Sequence, residues 1–168
     1  FTPEDAQLRE FIAFDPEQNF PSPSFVRQIE NQNLHALNIP ELTIITPAAL
    51  QTEAERVAQL HREEGLTVAV IEQEKIFNEF SSGTPDASAY RRLMKMFYDR
   101  AEGNENVRPR YLLLFGDGSY NNRKSMEKLH SPECNMLLTY QSKTSIDERE
   151  SFVIEDYFGF LELSLIHI

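Results

Sequence analysis

Cysteine, basic residues and long apolar runs are scarce in this sequence, and each deficit excludes a class of protein. A single cysteine, Cys134, excludes an internal disulfide, although it leaves the cellular compartment open. No apolar run approaches eighteen residues, so we expect no transmembrane segment. Lysine and arginine number 16 against 27 acidic residues, which gives a net charge of −11. Because phosphate backbones are bound by basic patches, this balance argues against nucleic acid as a partner.

The first 24 residues differ in composition from the rest of the 168-residue chain. Three prolines, Pro16, Pro21 and Pro23, lie in the stretch DPEQNFPSPS, which is typical of an extended linker. We therefore place a domain boundary near Ser24 and predict that residues 1–24 are the tail of an upstream β-rich domain with a Pro-rich linker. The chain begins without an initiator methionine, so the lack of a visible signal peptide carries no information about targeting.

A regular alternation of strands and helices follows the linker. LTIIT (Leu42–Thr46) and LTVAVIE (Leu66–Glu72) are short apolar runs typical of buried parallel strands. The segment between them predicts an amphipathic helix that begins near Pro47 and ends at Gly65. Its expected buried stripe contains Leu50, Ala54, Val57 and Leu60.

Two more helices are predicted before the next strand. EKIFNEF indicates a short helix, and DASAYRRLMKMFYDRAE indicates a long one with Asp86 as its cap. The long helix has an expected buried stripe of Tyr90, Leu93, Phe97 and Ala101. YLLLF (Tyr111–Phe115) then predicts a third parallel strand. This order of elements predicts an α/β fold, a three-layer sandwich with helices on both faces of the sheet.

A carboxylate follows the third strand, in the sequence Gly116-Asp117-Gly118. Ligand-binding and catalytic groups collect at the carboxyl ends of strands in open α/β sheets. Short Gly-Asp-Gly turns are also common as purely structural features. Asp117 is therefore either a site residue or a structural hydrogen-bond acceptor. A hydrolase of the GDSL type is excluded, because Gly118 stands where the nucleophilic serine would be.

Two further groups of residues have the chemistry of a site. Glu155 and Asp156 follow an apolar pair, and paired carboxylates can bind a metal or act as acid and base, although a solvated turn explains them equally well. Cys134 could act as a nucleophile with His130. Both residues lie in a long predicted loop, however, where no rigid element would hold a Cys-His pair.

Six segments, in their order along the chain, resemble one family of peptidases. They are NQNLHAL, IFNEFSSGTPD, MKMFYDRA, RYLLLFGDGSYNNR, LTYQS and EDYFGFL. The family is that of the gingipain-like cysteine peptidases, and the form that the segments resemble is the sortase of the bacterial type IX secretion system. The resemblance covers residues 25–162. It implies a caspase/gingipain-like three-layer sandwich with a mostly parallel sheet, truncated at its C-terminus.

In this family a cysteine thiolate attacks the peptide carbonyl and a histidine transfers the protons. The histidine lies in a Gly-His-Gly motif and the cysteine follows a later strand, both after the DYFG segment. This sequence contains no Gly-His-Gly, and Cys134 precedes DYFG. We therefore expect no catalytic residue in the chain, with the His and Cys located beyond Ile168. The resemblance implies that Asp117 and Asp156 shape the cleft and that no cofactor is needed, while metal binding stays open.

The resemblance also implies a function for the parent protein, that of a cysteine endopeptidase and sortase. It would remove C-terminal sorting domains from secreted cargo proteins and transfer the cargo to a surface anchor. The implied location is the outer membrane or cell surface, with outer-membrane secretion components as partners. The 168-residue chain alone is expected to be inactive. The alternative is a non-catalytic gingipain-fold module that binds or scaffolds within the same system.

The final six residues, 163–168, read LSLIHI, which is also the translation of the start of a common sequencing-transposon adapter. We interpret them as a non-native tail rather than as an apolar strand, because the family resemblance stops immediately before them. On this interpretation residues 25–162 are the N-terminal part of a gingipain-like peptidase domain.

Overall fold

The computed structural model describes residues 13–15, 17, 22, 24, 25, 28–123, 134–142 and 152–161. The chain divides into two compact units, Phe1–Asn31 and Gln32–Ile168. In the first unit, the Asp15 carboxylate accepts a hydrogen bond from the backbone N–H of Glu17 at 3.0 Å. The domain boundaries inferred from the sequence stay predictions, and the final hexapeptide lies outside the described residues.

A three-stranded parallel sheet forms the centre of the second unit. Its strands are β1 (Leu42–Thr46), β2 (Val68–Glu72) and β3 (Tyr111–Leu114), in the order β2-β1-β3. Leu42 lies opposite the first residue of each neighbouring strand, so the three strands start in register. All five residues of the central strand are buried, as its run of apolar and β-branched side chains predicts.

Helices cover both faces of this sheet. They are α1 (Gln51–Glu63), α2 (Gln73–Phe80) and α3 (Ser88–Arg100), with 3₁₀ turns at Leu34–Ala36, Ala48–Leu50 and Asp156–Phe158. Successive strand residues point to opposite faces. Ile44 accordingly packs with Ala54 and Ala58 of α1, whereas Ile45 joins the core cluster that contains residues of α2 and α3. The predicted three-layer sandwich is confirmed.

The start and the buried face of α1 differ from the sequence-based expectation. A 3₁₀ turn over Ala48–Leu50 precedes it, so the α-helical part begins at Gln51. Its fully buried residues are Ala54 and Ala58, whereas Leu60, predicted in the buried stripe, is 62 % exposed. Two alanines four residues apart lie on one side of a helix. Their small side chains allow this side to lie closest to the sheet, which leaves Leu60 outside the contact.

The other helix signals are confirmed. Gly65 adopts a φ of +96°, which favours glycine, and its N–H bonds the Arg62 carbonyl at 3.0 Å to end α1. The Asp86 carboxylate accepts a hydrogen bond from Ser88 N at 2.8 Å at the start of α3. The predicted stripe of α3 is buried at Tyr90, Leu93, Phe97 and Ala101. None of the helices in the described ranges has the length and apolar character needed to span a bilayer.

A second, smaller sheet begins directly after β3. It contains the two-residue strands β4 (Asp117–Gly118) and β5 (Met136–Leu137), which pair in parallel. The Asp117 N–H donates to the Asn135 carbonyl at 2.8 Å. This pairing places Asp117 at the carboxyl edge of the main sheet, the edge that the sequence indicates for a site.

Candidate functional site

The backbone that carries Asp117 passes very close to the segment before β5. A Cβ atom on Gly116 would lie 2.9 Å from the Asn135 carbonyl oxygen and 3.0 Å from Leu137 Cγ. These distances are too short for a side chain, so the glycine allows β4 and β5 to approach and pair. Close packing against Asn135 and Leu137 therefore explains why the first residue of the Gly-Asp-Gly sequence is a glycine.

Asp117 itself is exposed at this edge. One oxygen of its carboxylate accepts a hydrogen bond from Gly118 N at 2.9 Å. The carboxylate thus helps to order the turn that follows it while remaining open to solvent. Both properties are compatible with a residue that shapes a cleft, and this role stays a prediction.

Asp117 and Glu155 line the same small cavity, of about 60 Å³, where the loop after β3 meets the segment 152–158. Asp156, the second cleft-shaping candidate, is not among the residues that line it; it opens the 3₁₀ turn Asp156–Phe158 instead. Ligand pockets usually have about 300–1,000 Å³. The cavity formed by the described residues is smaller than this, and a site at this edge stays a prediction.

The loop after β4 is fixed to the chain after β5 by an asparagine side chain. The Asn122 amide donates to the Thr139 carbonyl at 2.7 Å and accepts from Thr139 N at 3.0 Å. The Thr139 hydroxyl also donates to the Ser119 carbonyl at 2.9 Å. This two-point pairing continues the contact between β4 and β5 beyond the strands themselves.

A buried polar pair lies on the other side of β5. The Gln73 side chain donates to the Met136 carbonyl at 2.8 Å and accepts from the Tyr90 hydroxyl at 2.7 Å. The same hydroxyl accepts from Leu138 N at 3.3 Å. Burial raises the pKa of Tyr90, so the phenol stays protonated and donates to Gln73. The sequence does not predict this pair, because helical spacing places Tyr90 only in the apolar stripe; the one signal is a glutamine directly after a predicted buried strand.

Residues 156–161 are held against α3 by Arg91. Its guanidinium donates to the Phe160 carbonyl, with Nε at 2.9 Å, and lies 5.4 Å from the centre of the Tyr157 ring. Tyr157 stacks on Tyr140, with ring centres 3.4 Å apart. Burial and, secondly, the neighbouring Tyr140 raise the pKa of Tyr157. The turn at 156–161 therefore lies between α3 and the chain after β5.

Cys134 is buried among the described residues. Only 6 % of its surface is exposed, and His130, its potential partner, lies outside the described residues. Across the described ranges, no group of three or more His, Cys, Asp or Glu side chains could hold a metal ion. The Glu155-Asp156 pair therefore has no third ligand in this part of the chain.

A larger cavity, of about 740 Å³, lies at the opposite end of β3. Its walls include Arg110 and Tyr111 at the start of the strand and Phe160 from the later turn. Sites in open α/β sheets form at the carboxyl ends of the strands, and this cavity lies at the amino end. We therefore assign the candidate site to the Asp117 edge.

Comparison with known proteins finds one family match over most of the chain. The model of peptidase family C25 matches residues 35–164. The crystal structure of dimeric latent PorU from Porphyromonas gingivalis is similar to this chain, with 48 % sequence identity and a TM-score of 0.68. The match covers 80 % of this chain and 13 % of the PorU chain, so this chain spans a small part of that protein. No curated protein matches the chain.

Proposed function

Because the chain belongs to peptidase family C25, a family of cysteine peptidases, we propose that its parent protein is a cysteine endopeptidase and sortase. It removes C-terminal sorting domains from cargo of the type IX secretion system and transfers the cargo to a surface anchor. Its partners are then the cargo and the outer-membrane secretion components, and it acts at the cell surface. The observation that carries this proposal is the 48 % identity to PorU, in a match over 80 % of the chain.

The proposed reaction has two steps. A cysteine thiolate attacks the carbonyl carbon of the peptide bond, the C–N bond breaks, and a histidine gives a proton to the leaving amine. A nucleophilic group of the anchor, or water, then attacks the thioester carbon, the C–S bond breaks to release the thiolate, and the histidine takes the proton of the attacking group. Both catalytic groups are expected beyond Ile168. The residues described here contribute the framework of the cleft, with Asp117 and Glu155 on the wall that the short strands β4 and β5 support.

The test is cleavage of a cargo protein by the full-length protein. We expect the complete gene to encode a Gly-His-Gly motif and a later strand-end cysteine after residue 168. The purified protein should cleave a reporter with a C-terminal sorting domain, and alanine at that later cysteine should abolish cleavage. Cys134→Ala is the matched control and should retain activity, because the Cys134 thiol is buried.

Two results would contradict the proposal. A complete sequence without the Gly-His-Gly motif and later cysteine would favour a non-catalytic binding or scaffold module. Cleavage by the 168-residue chain alone, lost in Cys134→Ala, would move the nucleophile into this part of the protein. The chain alone is expected to show no cleavage, because both catalytic groups are expected beyond Ile168.

A further inference from the structure

The two sides of β5 contact different partners. On one side, the Asn135 carbonyl accepts from Asp117 N of β4 at 2.8 Å. Alternate peptide groups of an extended strand point to opposite sides. The Met136 carbonyl and the Leu138 N–H therefore point away from β4, towards the helices, where the backbone of another strand would normally pair with them.

Gln73 and Tyr90 occupy this position in place of a strand. Gln73 bonds the Met136 carbonyl at 2.8 Å, and Tyr90 bonds Leu138 N at 3.3 Å. The two side chains are joined to each other at 2.7 Å. Together they provide hydrogen-bond partners for the Met136 carbonyl and the Leu138 N–H, the two groups that point away from β4. We call Gln73 and Tyr90 the buried relay.

Both residues of the relay belong to helices of the core, Gln73 to α2 and Tyr90 to α3. Gln73 is the first residue of α2, directly after the last residue of β2, and it is 2 % exposed. Tyr90 lies in α3 and packs against Phe77 and Phe158, each with ring centres 5.7 Å away. Neither side chain can move far without disturbing the core. The position of β5 is therefore set by the main sheet and its helices.

We propose that Gln73 and Tyr90 are positioning residues for peptide-bond cleavage by the full-length protein. They hold β5, and through the β4–β5 pairing they hold the backbone that carries Asp117 at the edge of the cleft. This inference rests on the proposed function. The relay acts through β5 and needs no contact with the substrate.

Tyr90→Phe in the full-length protein tests the relay, because it keeps the ring and removes only the hydroxyl. Activity is measured per active site, titrated with an irreversible cysteine-directed inhibitor, at a temperature where the variant is folded. We expect kcat to fall about tenfold with KM changed less than about twofold, since small misplacements near reacting groups mainly slow the reaction. Amide hydrogen exchange should become faster in residues 116–122 and 134–140 and stay unchanged in β1.

Two controls separate positioning from general destabilisation. Phe97→Leu perturbs a fully buried residue of the same helix and should lower Tm while keeping kcat per titrated site. Tyr111→Phe removes a hydroxyl from a tyrosine that is 54 % exposed and should change neither value.

Gln73→Met should reproduce the effect of Tyr90→Phe. The double variant should be little worse than either single one, because the two residues act as one unit.

The proposal is overturned if Tyr90→Phe keeps the wild-type kcat per titrated site while its Tm falls as in Phe97→Leu. The relay would then be a structural feature only. If the wild-type protein cleaves no cargo, the proposed function fails. Hydrogen exchange still tests whether Gln73 and Tyr90 hold β5 and, through it, β4. In that case faster exchange in residues 116–122 of Tyr90→Phe supports control of β4 by the relay. Unchanged exchange there overturns it.

Discussion

Residues 32–114 and a second region, the described residues 115–123, 134–142 and 152–161, are held together in different ways. The first region contains the three-stranded sheet, three helices and most of the apolar core. The second contains strands of two residues and depends on side chains that bond distant backbone groups. Asn122 bonds Thr139 across 17 residues, and Gln73 bonds Met136 across 63. Among the residues that the structure describes, the candidate site therefore lies where the strands are shortest.

This difference has an energetic consequence. Apolar burial is non-directional and is shared among many neighbours, so a buried sheet tolerates small local changes. A hydrogen bond to a buried peptide group depends on one partner, and loss of that partner leaves the group unsatisfied. We therefore expect small changes around β4 and β5 to have local effects that stop at β3.

Gly116→Ala should have the largest effect, because the backbone at Gly116 passes close to the Asn135 carbonyl. The new Cβ would lie 2.9 Å from the Asn135 carbonyl oxygen, so β4 must move away from β5. We expect a loss of about 1–3 kcal/mol in the free energy of unfolding, as for other overpacked sites. Chemical denaturation gives this value. Hydrogen exchange should become faster in residues 116–122 and 134–140 while β1 keeps its protection.

Gly159→Ala is the matched control, because a Cβ at Gly159 would meet only the Asp156 carbonyl, at an ordinary 3.5 Å. It should have little effect on stability. If both variants are equally stable, or if Gly116→Ala speeds exchange equally in β1, the division into two regions is wrong.

The first region also contains a polar cluster around Glu79 in α2. Its carboxylate accepts hydrogen bonds from Leu34 N at 2.7 Å, from the Gln32 amide at 2.9 Å and from His35 Nδ1 at 2.6 Å. These bonds attach the chain before β1 to α2. Burial alone would raise the pKa of Glu79, but the hydrogen bonds outweigh it and lower the pKa below its ordinary value of 4.5.

Glu79→Gln should therefore have a moderate effect that depends on pH. A carboxylate whose pKa is lowered by folding stabilises the fold above its ordinary pKa, and this contribution disappears as the pH falls through the lowered value. We expect a loss of about 1–2 kcal/mol at pH 7, because the amide keeps only part of the acceptor capacity. Denaturation between pH 7 and pH 3 should show a shallower acid loss of stability in the variant than in the wild type.

Glu53→Gln is the control, because Glu53 is an exposed carboxylate on α1. It should leave the slope of stability against pH unchanged. An equal slope for wild type and Glu79→Gln would show that this cluster contributes little to stability.

The two regions also differ in how well the sequence predicts them. The spacing of apolar residues and the conformational preferences of single residues predict β1, the end of α1 at Gly65 and the buried stripe of α3. These features depend on residues close together in the chain. Helical spacing predicts Leu60 in the core, but Ala54 and Ala58 set the face that contacts the sheet. The sequence does not predict the buried relay, because it joins residues far apart in the chain whose pairing no local pattern shows.

The smallest effect is expected at Asp117, and it concerns the role of this residue in the full-length protein. Its carboxylate is exposed and accepts a hydrogen bond from Gly118 N at 2.9 Å. Asp117→Asn keeps the shape and one acceptor oxygen, so stability should change by less than about 0.5 kcal/mol, as at most surface positions. Cleavage of cargo should remain within about threefold of wild type if the residue only shapes the cleft. A general acid or base would instead lose roughly 10²–10⁴ in rate on the same change. Turnover and Tm measured on the same samples separate these roles, and an inactive but fully stable variant would make Asp117 a catalytic residue.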